Sequence, residues 1–384
     1  MAGESFEPEG LGGGGNPGQG QGRTAEPGQA TKESAGPYSR SRGGIGGFGA
    51  AQGGTMAPTG HNGAMTLGSV DQRFEWEAAT VDATGMVRPG SVPSTSMIIS
   101  SRERPHFLED VVNSIMAGTE RPDELIVIDQ SQNQHERLTA LAAEKPGWLR
   151  YCWTDERGLS RGRNAGIALA RGDWLFFVDD DVLVPGDWFA RIFRAAVDAG
   201  PTSVITGRVI AGHEERPGAF APSLSLSETT LVHRGRPGRD VLQPLNMAIH
   251  RRALVEVGGF DVRLGAGARF PSSEDNDLGF RLLEAGYATV YDSAIVVVHR
   301  AWRPRAALVP LRWSYGRGQG AYFVKHASLR DRYMLRRLLA DWWRHVKRAP
   351  RRSLTQPRDA AGDLVYSVAL LAGAAEWLIT RPRP

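Results

Sequence analysis

Three consecutive carboxylates, Asp179, Asp180 and Asp181, stand where the apolar run WLFFV at 174–178 stops. Like charges this close repel, so an ordered arrangement needs a cation among them. Oxygen donors suit Mg²⁺ or Mn²⁺. A divalent ion held there can bridge a diphosphate and neutralise the charge that develops as the diphosphate leaves. The bland alternative is a solvated acidic turn closed by Pro185 and Gly186. A second acidic group, Glu274, Asp275 and Asp277, opens SSEDNDLGFRLLEAGY at 272–287. A carboxylate there can take a proton from a hydroxyl. Equally, acids in the first turn of a helix capped by Ser272 or Ser273 are ordinary helix chemistry, with Leu278, Leu282 and Leu283 as its apolar stripe.

The elements that would position these groups are short apolar runs alternating with helical patterns, the mark of βαβ units. Strands are expected at 96–100, 124–129, 149–153 and 174–178, with helices at 107–118 (Pro105 placed to begin it), 133–144 and 160–171. In such sheets ligands bind beyond the carboxyl ends of the strands. That draws attention to Ser100 and Ser101 after the first strand, Asp129 after the second and Asp179 to Asp181 after the fourth. The second half is less regular. It holds SVITGRVI, a polar loop to about 240, MAIHRRALVEVGGFD, and two strands, ATVYD and IVVVH, the latter ending at His299. A lone strand-end histidine is either a polar terminus or a ligand. Asn246 is either a pocket residue or a strand-end turn residue, and Gly258 to Asp261 read as a turn with one buried aromatic. Trp302, Trp313, Trp342 and Trp343 suit core packing better than stacking on a sugar.

From about Ser96 to His299 the motifs MIISSRERPHFLEDVVNSI, LIVIDQS, GLSRGRNAGIALARGDWLFFVDDD, PLNMAIHRRALVEVGGFD, EDNDLGFRLLEAGY and VVVH resemble, in content and order, a family 2 glycosyltransferase of the GT-A fold. The resemblance implies an α/β fold with a mixed, mostly parallel nucleotide-binding sheet flanked by helices. It also implies inverting transfer of a sugar from a nucleoside diphosphate donor to an acceptor hydroxyl, with Mn²⁺ or Mg²⁺ as cofactor. Carried over motif by motif, Asp129 contacts the nucleotide base, the backbone at Ser100 and Ser101 lies against the nucleotide, and Arg163 and Asn164 sit near base and ribose. Asp181 binds the metal, Asp179 or Asp180 meets ribose or metal, His299 completes the metal shell, and Asp275 is the catalytic base. A UDP-sugar is the commonest donor in such enzymes, and GDP and dTDP sugars fit the same residues. The acceptor is expected to be a saccharide or a lipid-linked saccharide of surface polysaccharide or glycolipid synthesis. A nucleotidyltransferase would want a Gly-rich segment after the first strand, which SSRERPHF lacks. A non-catalytic membrane- or polymer-binding protein would leave the acids without a role.

Composition bounds the rest. Of 47 glycines, 21 fall in the first 70 residues without apolar periodicity, so residues 1–92 are expected to be a disordered tail, 93–300 the catalytic domain and 301–384 a basic, mostly helical extension. The acidic start MAGESFEPEG argues against an export signal. The single cysteine, Cys152, reads as a buried strand thiol in a reducing cytoplasm. From Arg300 to Arg358 there are 16 Lys and Arg against two acids, a net +14. With the apolar stretch 364–380, broken by Glu376 and read as a packed or surface-lying helix, this block suits peripheral contact with the inner face of a membrane or a phosphorylated acceptor. No nucleic acid is expected as partner.

Overall fold

The computed structural model describes residues 65–66, 92–215 and 217–380. The Gly-rich segment expected as a tail therefore lies almost wholly outside the described residues. The strands are β1 Met65–Thr66, β2 Thr95–Ser101, β3 Glu124–Asp129, β4 Leu149–Trp153, β5 Trp174–Phe177, β6 Val182–Leu183, β7 Ser203–Ala211, β8 Leu231–His233, β9 Met247–His250 and β10 Ala288–His299. They form one sheet in the order β1-β4-β3-β2-β5-β9-β7-β10-β6, with β8 added alongside β10. The pairs linking β1 to β5 are all parallel. β9 then enters antiparallel to both β5 and β7.

The chain leaves β2 outward through β3 and β4 and returns on the other side of β2 as β5. The carboxyl ends of β2 and β5 therefore flank a crevice where the strand order reverses, the place at which open α/β sheets bind ligands. Ser100 and Ser101 stand on one side of it, and Asp179 to Asp181 follow on the other. The helices over this sheet are α1 Pro105–Met116, α2 Glu136–Glu144, α3 Leu159–Leu169, α4 Trp188–Ala199, α5 Arg251–Val257 and α6 Glu274–Glu284. Helices cover both faces, which is why the parallel strands read as unbroken apolar runs. Met97, Ile99 and Val127 pack beside Val111 and Val112 of α1, while Ile98, Ile126 and Ile128 pack beside Ile167 of α3 and Leu278 and Leu282 of α6. Cys152 is buried in that second layer, and burial pushes its thiol up to about 11.

Two sequence expectations are corrected. ATVYD and IVVVH are one strand, β10, whose register against β7 shifts between Asp292 and Val296. The run MAIH, not assigned as a strand from sequence, is β9, and its four residues are too few to carry a period of their own.

Beyond β10 come α7 Leu308–Lys325, α8 Tyr333–Arg352 and α9 Pro357–Thr380. α9 is long and apolar enough to cross a membrane by length and composition, with a mean hydropathy of 1.4, yet half of its apolar window is buried against protein. Glycines make that contact: a Cβ at Gly320 would lie 1.9 Å from the Leu370 carbonyl, and one at Gly373 2.0 Å from that of Arg317. Around this seam Tyr322, Phe323, Met334, Leu338, Tyr366 and Leu370 form a core. Trp342 packs against it, but Trp313 and Trp343 are exposed, so core packing does not account for those two. The α7–α9 seam is a structural requirement. Gly320→Ala is expected to cost roughly 1–3 kcal/mol as overpacking against backbone, read as a lowered urea midpoint at unchanged slope.

Candidate active site

The site is assembled by close backbone approaches. α3 lies directly on β2 because the glycines of RGRNAG have no side chain. A Cβ at Gly162 would meet Ser100 Oγ at 2.2 Å, and one at Gly166 would meet Ile98 Cγ2 at 2.3 Å. Arg163 is thereby held in the interior, 3% exposed. Its Nη2 donates to Asp179 Oδ1 at 2.7 Å and its Nη1 to Glu274 Oε1 at 3.1 Å. Its guanidinium also sits 5.2 Å above the Phe260 ring. Burial works against this charge, and the two carboxylates more than compensate, so the guanidinium titrates above its usual range. One buried cation thus ties both acidic motifs to one point.

Asn164, expected near base and ribose, has a different placement. Its Nδ2 donates to the Phe260 carbonyl at 2.8 Å and its Oδ1 accepts from the Phe260 N–H at 2.9 Å, so the carboxamide straps α3 to the GGFD turn. In that turn Gly258 and Gly259 hold φ of 80° and 66°, a left-handed backbone suited to glycine. Asn246 is likewise a strap, fully buried, accepting from Trp188 Nε1 and donating to the Arg208 and Ile295 carbonyls. The pocket reading of Asn246 is set aside for that reason. Asp129 is buried with Oδ2 accepting from Tyr151 Oη at 2.7 Å and Oδ1 from the Ser131 N–H at 2.9 Å.

At the DDD turn, Arg104 supplies the cation that the charge pattern demands. Its Nη1 donates to Asp180 Oδ1 at 2.9 Å and Asp181 Oδ2 at 2.7 Å, and Ser101 Oγ donates to Asp180 Oδ2 at 2.7 Å. Sequence reasoning missed Arg104. Its signal was a base just past β2, across the crevice from three acids. His299 arrives by strand register: β6 pairs antiparallel with β10, setting His299 opposite Val182, and the Arg300 N–H donates to the Asp181 carbonyl. His299 Nε2 then lies 3.3 Å from Asp181 Oδ1. Burial pushes Asp181 up, but the imidazole and the Arg104 charge outweigh it and hold the carboxyl at about 2. Asp180, also buried and beside two other acids, is pushed up to about 6 despite Arg104.

Among the described residues no three His, Cys, Asp or Glu side chains close round a metal-sized point. The convergent pair is Asp181 and His299. Ser100 Oγ is buried beside the crevice without a hydrogen-bond partner among the described residues. One carboxylate and one imidazole leave most of a six-fold shell to water and phosphate oxygens, which fits Mg²⁺ or Mn²⁺ held jointly with a substrate diphosphate.

Asp275 opens α6, and its neighbours are fixed from α7. Ser273 has left-handed backbone, φ 68° and ψ 19°. The expected serine cap is absent: Ser273 Oγ donates to Gln319 Oε1 at 2.8 Å, and Ser272 Oγ to the Tyr315 carbonyl at 3.1 Å. Gln319 Oε1 also accepts from Asn276 Nδ2 at 2.8 Å, while its Nε2 donates to Asp240 at 2.9 Å. Gly318 leaves room for Ser272, whose Oγ would lie 2.0 Å from a Cβ there. α7 therefore belongs to the site even though it lies past the expected boundary at residue 300. Burial first, then the charges of Glu274 and Asp240, push Asp275 well above the usual carboxylate range; Asn276 N–H and Arg163 pull it down less strongly.

Residues 96–258 match the model of glycosyl transferase family 2. The chain is 30% identical over 197 residues to the succinoglycan biosynthesis protein ExoA of Rhizobium meliloti, an alignment covering 49% of this chain and 57% of that protein. It therefore spans little more than half of ExoA's length. It is 24% identical over 213 residues to the glucosyl-dolichyl phosphate glucuronosyltransferase of Haloferax volcanii, covering 53% of this chain and 68% of that one. Among solved structures, a mannosyltransferase from Pyrobaculum calidifontis, in complex with GDP-Man and Mn²⁺, superposes with a TM-score of 0.48 at 16% identity, over 77% of this chain and 89% of that chain.

Two predictions follow from the charges. Arg163→Met should lower stability by roughly 3–5 kcal/mol in thermal melts, because it leaves the buried Glu274 and the half-buried Asp179 without their shared partner. The folded chain holds a proton on Asp275 that the unfolded chain releases near pH 4. The group therefore costs stability increasingly as pH rises from there through its raised folded value. The difference in stability between wild type and Asp275→Asn should widen in the variant's favour over that window, and a pH-independent difference would contradict the assignment.

Proposed function

We propose that this chain, a member of glycosyl transferase family 2, moves a sugar from a nucleoside diphosphate sugar to an acceptor hydroxyl with inversion at the anomeric carbon. The observation that carries the reading is the Arg163 clamp, which holds the donor-side acid Asp179 and the start of the Asp275 helix to one buried cation. The nucleotide lies along the β2–β5 crevice, with the backbone of Ser100 and Ser101 and the carboxylate of Asp129 on the base side. Arg163 sits near the ribose, and Asn164 acts through the loop it straps. Asp179 and Asp180 face the ribose or phosphate. Asp181 and His299 would hold a divalent ion, Mn²⁺ or Mg²⁺, which when bound supplies neutralisation of the departing diphosphate. Arg104 lies at the same turn and adds positive charge there.

Asp275 takes the acceptor hydroxyl proton as the oxygen attacks the anomeric carbon opposite the leaving diphosphate. One in-line displacement inverts the centre without a covalent intermediate. A carboxylate whose proton is held more tightly than usual is better matched to a hydroxyl than an ordinary one, provided the pH lets it ionise. UDP is the favoured donor nucleotide. The names of the two relatives support an acceptor that is a saccharide or a lipid-linked saccharide, in polysaccharide or glycolipid synthesis. Such work fits a cytoplasmic site with peripheral membrane contact through 300–384, and no nucleic acid partner.

Asp275→Asn should lower kcat by at least about a hundredfold, the usual scale for loss of a general base, while nucleotide affinity stays within a few-fold of wild type. Product NMR should show an anomeric configuration opposite to the donor's. Full activity in the variant would remove Asp275 from the mechanism, and a retained configuration would remove the single displacement.

A further inference from the structure

One edge of the C-terminal helices combines an apolar stripe with concentrated positive charge. Along α9, Ala361, Leu364, Val368, Leu371, Ala375 and Leu378 recur every three or four residues on the outer face. Leu364 is 54% exposed, Val368 61% and Leu378 61%. Of the two acids in this stretch, Asp363 is buried and Glu376 is turned aside to Arg269 and Arg317. The opposite face of α9 is closed by the glycine seam with α7, so the helix presents one side only.

At the end where α8 turns into α9, Arg312 of α7 and Arg344, Arg348 and Arg352 of α8 lie near enough for their charges to act on one another. Among the described residues, Asp341 pairs with Arg344, and Asp363 pairs with Arg352 and His345. Lys347 and Arg351 add further charge on the same last turns. Leu354, 95% exposed, stands in the turn itself. Trp343, 49% exposed, carries Lys347 Nζ 4.8 Å above its ring.

We propose that this edge docks the enzyme on an anionic membrane surface. The basic turn of α8 meets lipid phosphates, while Leu354, Trp343 and the α9 stripe settle into the boundary between headgroups and acyl chains. Charge selects this occupant. A second copy packed in parallel on the stripe would bring two basic turns towards each other, which like charges disfavour, and one packed antiparallel would leave the basic turn without an anionic partner. A nucleic acid would satisfy the arginines but leave the apolar stripe in water. The inference rests on the peripheral contact proposed above and names the residues that make it; vesicle binding tests it separately from sugar transfer.

The test is flotation of the full-length chain with phosphatidylcholine vesicles, with and without phosphatidylglycerol, at low and high salt. Binding is expected only with the anionic lipid and to weaken as salt rises. Arg344→Gln, Lys347→Gln and Arg351→Gln should each weaken partitioning about fivefold. Leu354→Ser combined with Val368→Ser should weaken it further without moving the thermal midpoint, since both positions are exposed. Absence of flotation with anionic vesicles, or equal flotation of wild type and all variants, overturns the proposal. So does a dimer in sedimentation that Val368→Ser splits, which would give the stripe to a second copy, or oligonucleotide binding in place of vesicle binding.

Discussion

The buried guanidinium of Arg163 is the interaction on which the site depends. Asp179 lies just past β5 and Glu274 begins α6 more than ninety residues later, and both are acidic segments that would repel if simply brought together. A cation between them turns that repulsion into a join, but only if it is itself held, because a desolvated arginine without partners is very costly. The fold supplies the holding: glycines at 162 and 166 press α3 onto β2, Phe260 lies under the guanidinium, and Asn164 pins Phe260. Both acidic motifs are thereby referenced to one atom group, as the proposed in-line displacement between two bound molecules would require.

The C-terminal helices complete that arrangement from outside. Gln319 of α7 binds Ser273 and Asn276, which bracket Glu274 and Asp275, and Lys325 and His326 reach the buried Asp277 two residues past Asp275. The segment with left-handed backbone at Ser273 is thus held by side chains of another helix instead of by its own cap. The same three helices carry the basic, apolar edge proposed to meet a membrane, so the region past residue 300 both braces the start of α6 and presents that edge. An acceptor carried on a lipid would make these two roles parts of one task.

Much of this was legible in the sequence because its signals are local. Apolar runs ending in acids mark the strand ends of a parallel sheet, and Asp129, Asp179 to Asp181, Asp275 and His299 were all picked out that way or by motif. What the sequence did not disclose depends on contacts between distant segments. The pairing of His299 with Asp181 follows from β6 and β10 register, and β6 is only two residues long. Arg104 was not singled out within its motif, and Gln319 lay in a stretch with no motif. Asn164 was expected near the nucleotide from the motif it shares with the family, and Asn246 was open between pocket and turn, yet each commits its amide to distant partners. The serines before Glu274 looked like helix caps, and tertiary partners on α7 took their hydroxyls instead.

The central claim is that the crevice between β2 and β5 binds a nucleoside diphosphate together with a divalent ion. It is tested most directly by thermal melts of the full chain with UDP, GDP and dTDP, each with and without Mn²⁺. A nucleotide at a hundred times its dissociation constant should stabilise the fold by about 2.7 kcal/mol. The account predicts such a shift for one of the three, UDP first, and its dependence on the metal. No shift with any nucleotide, metal present or absent, would contradict it.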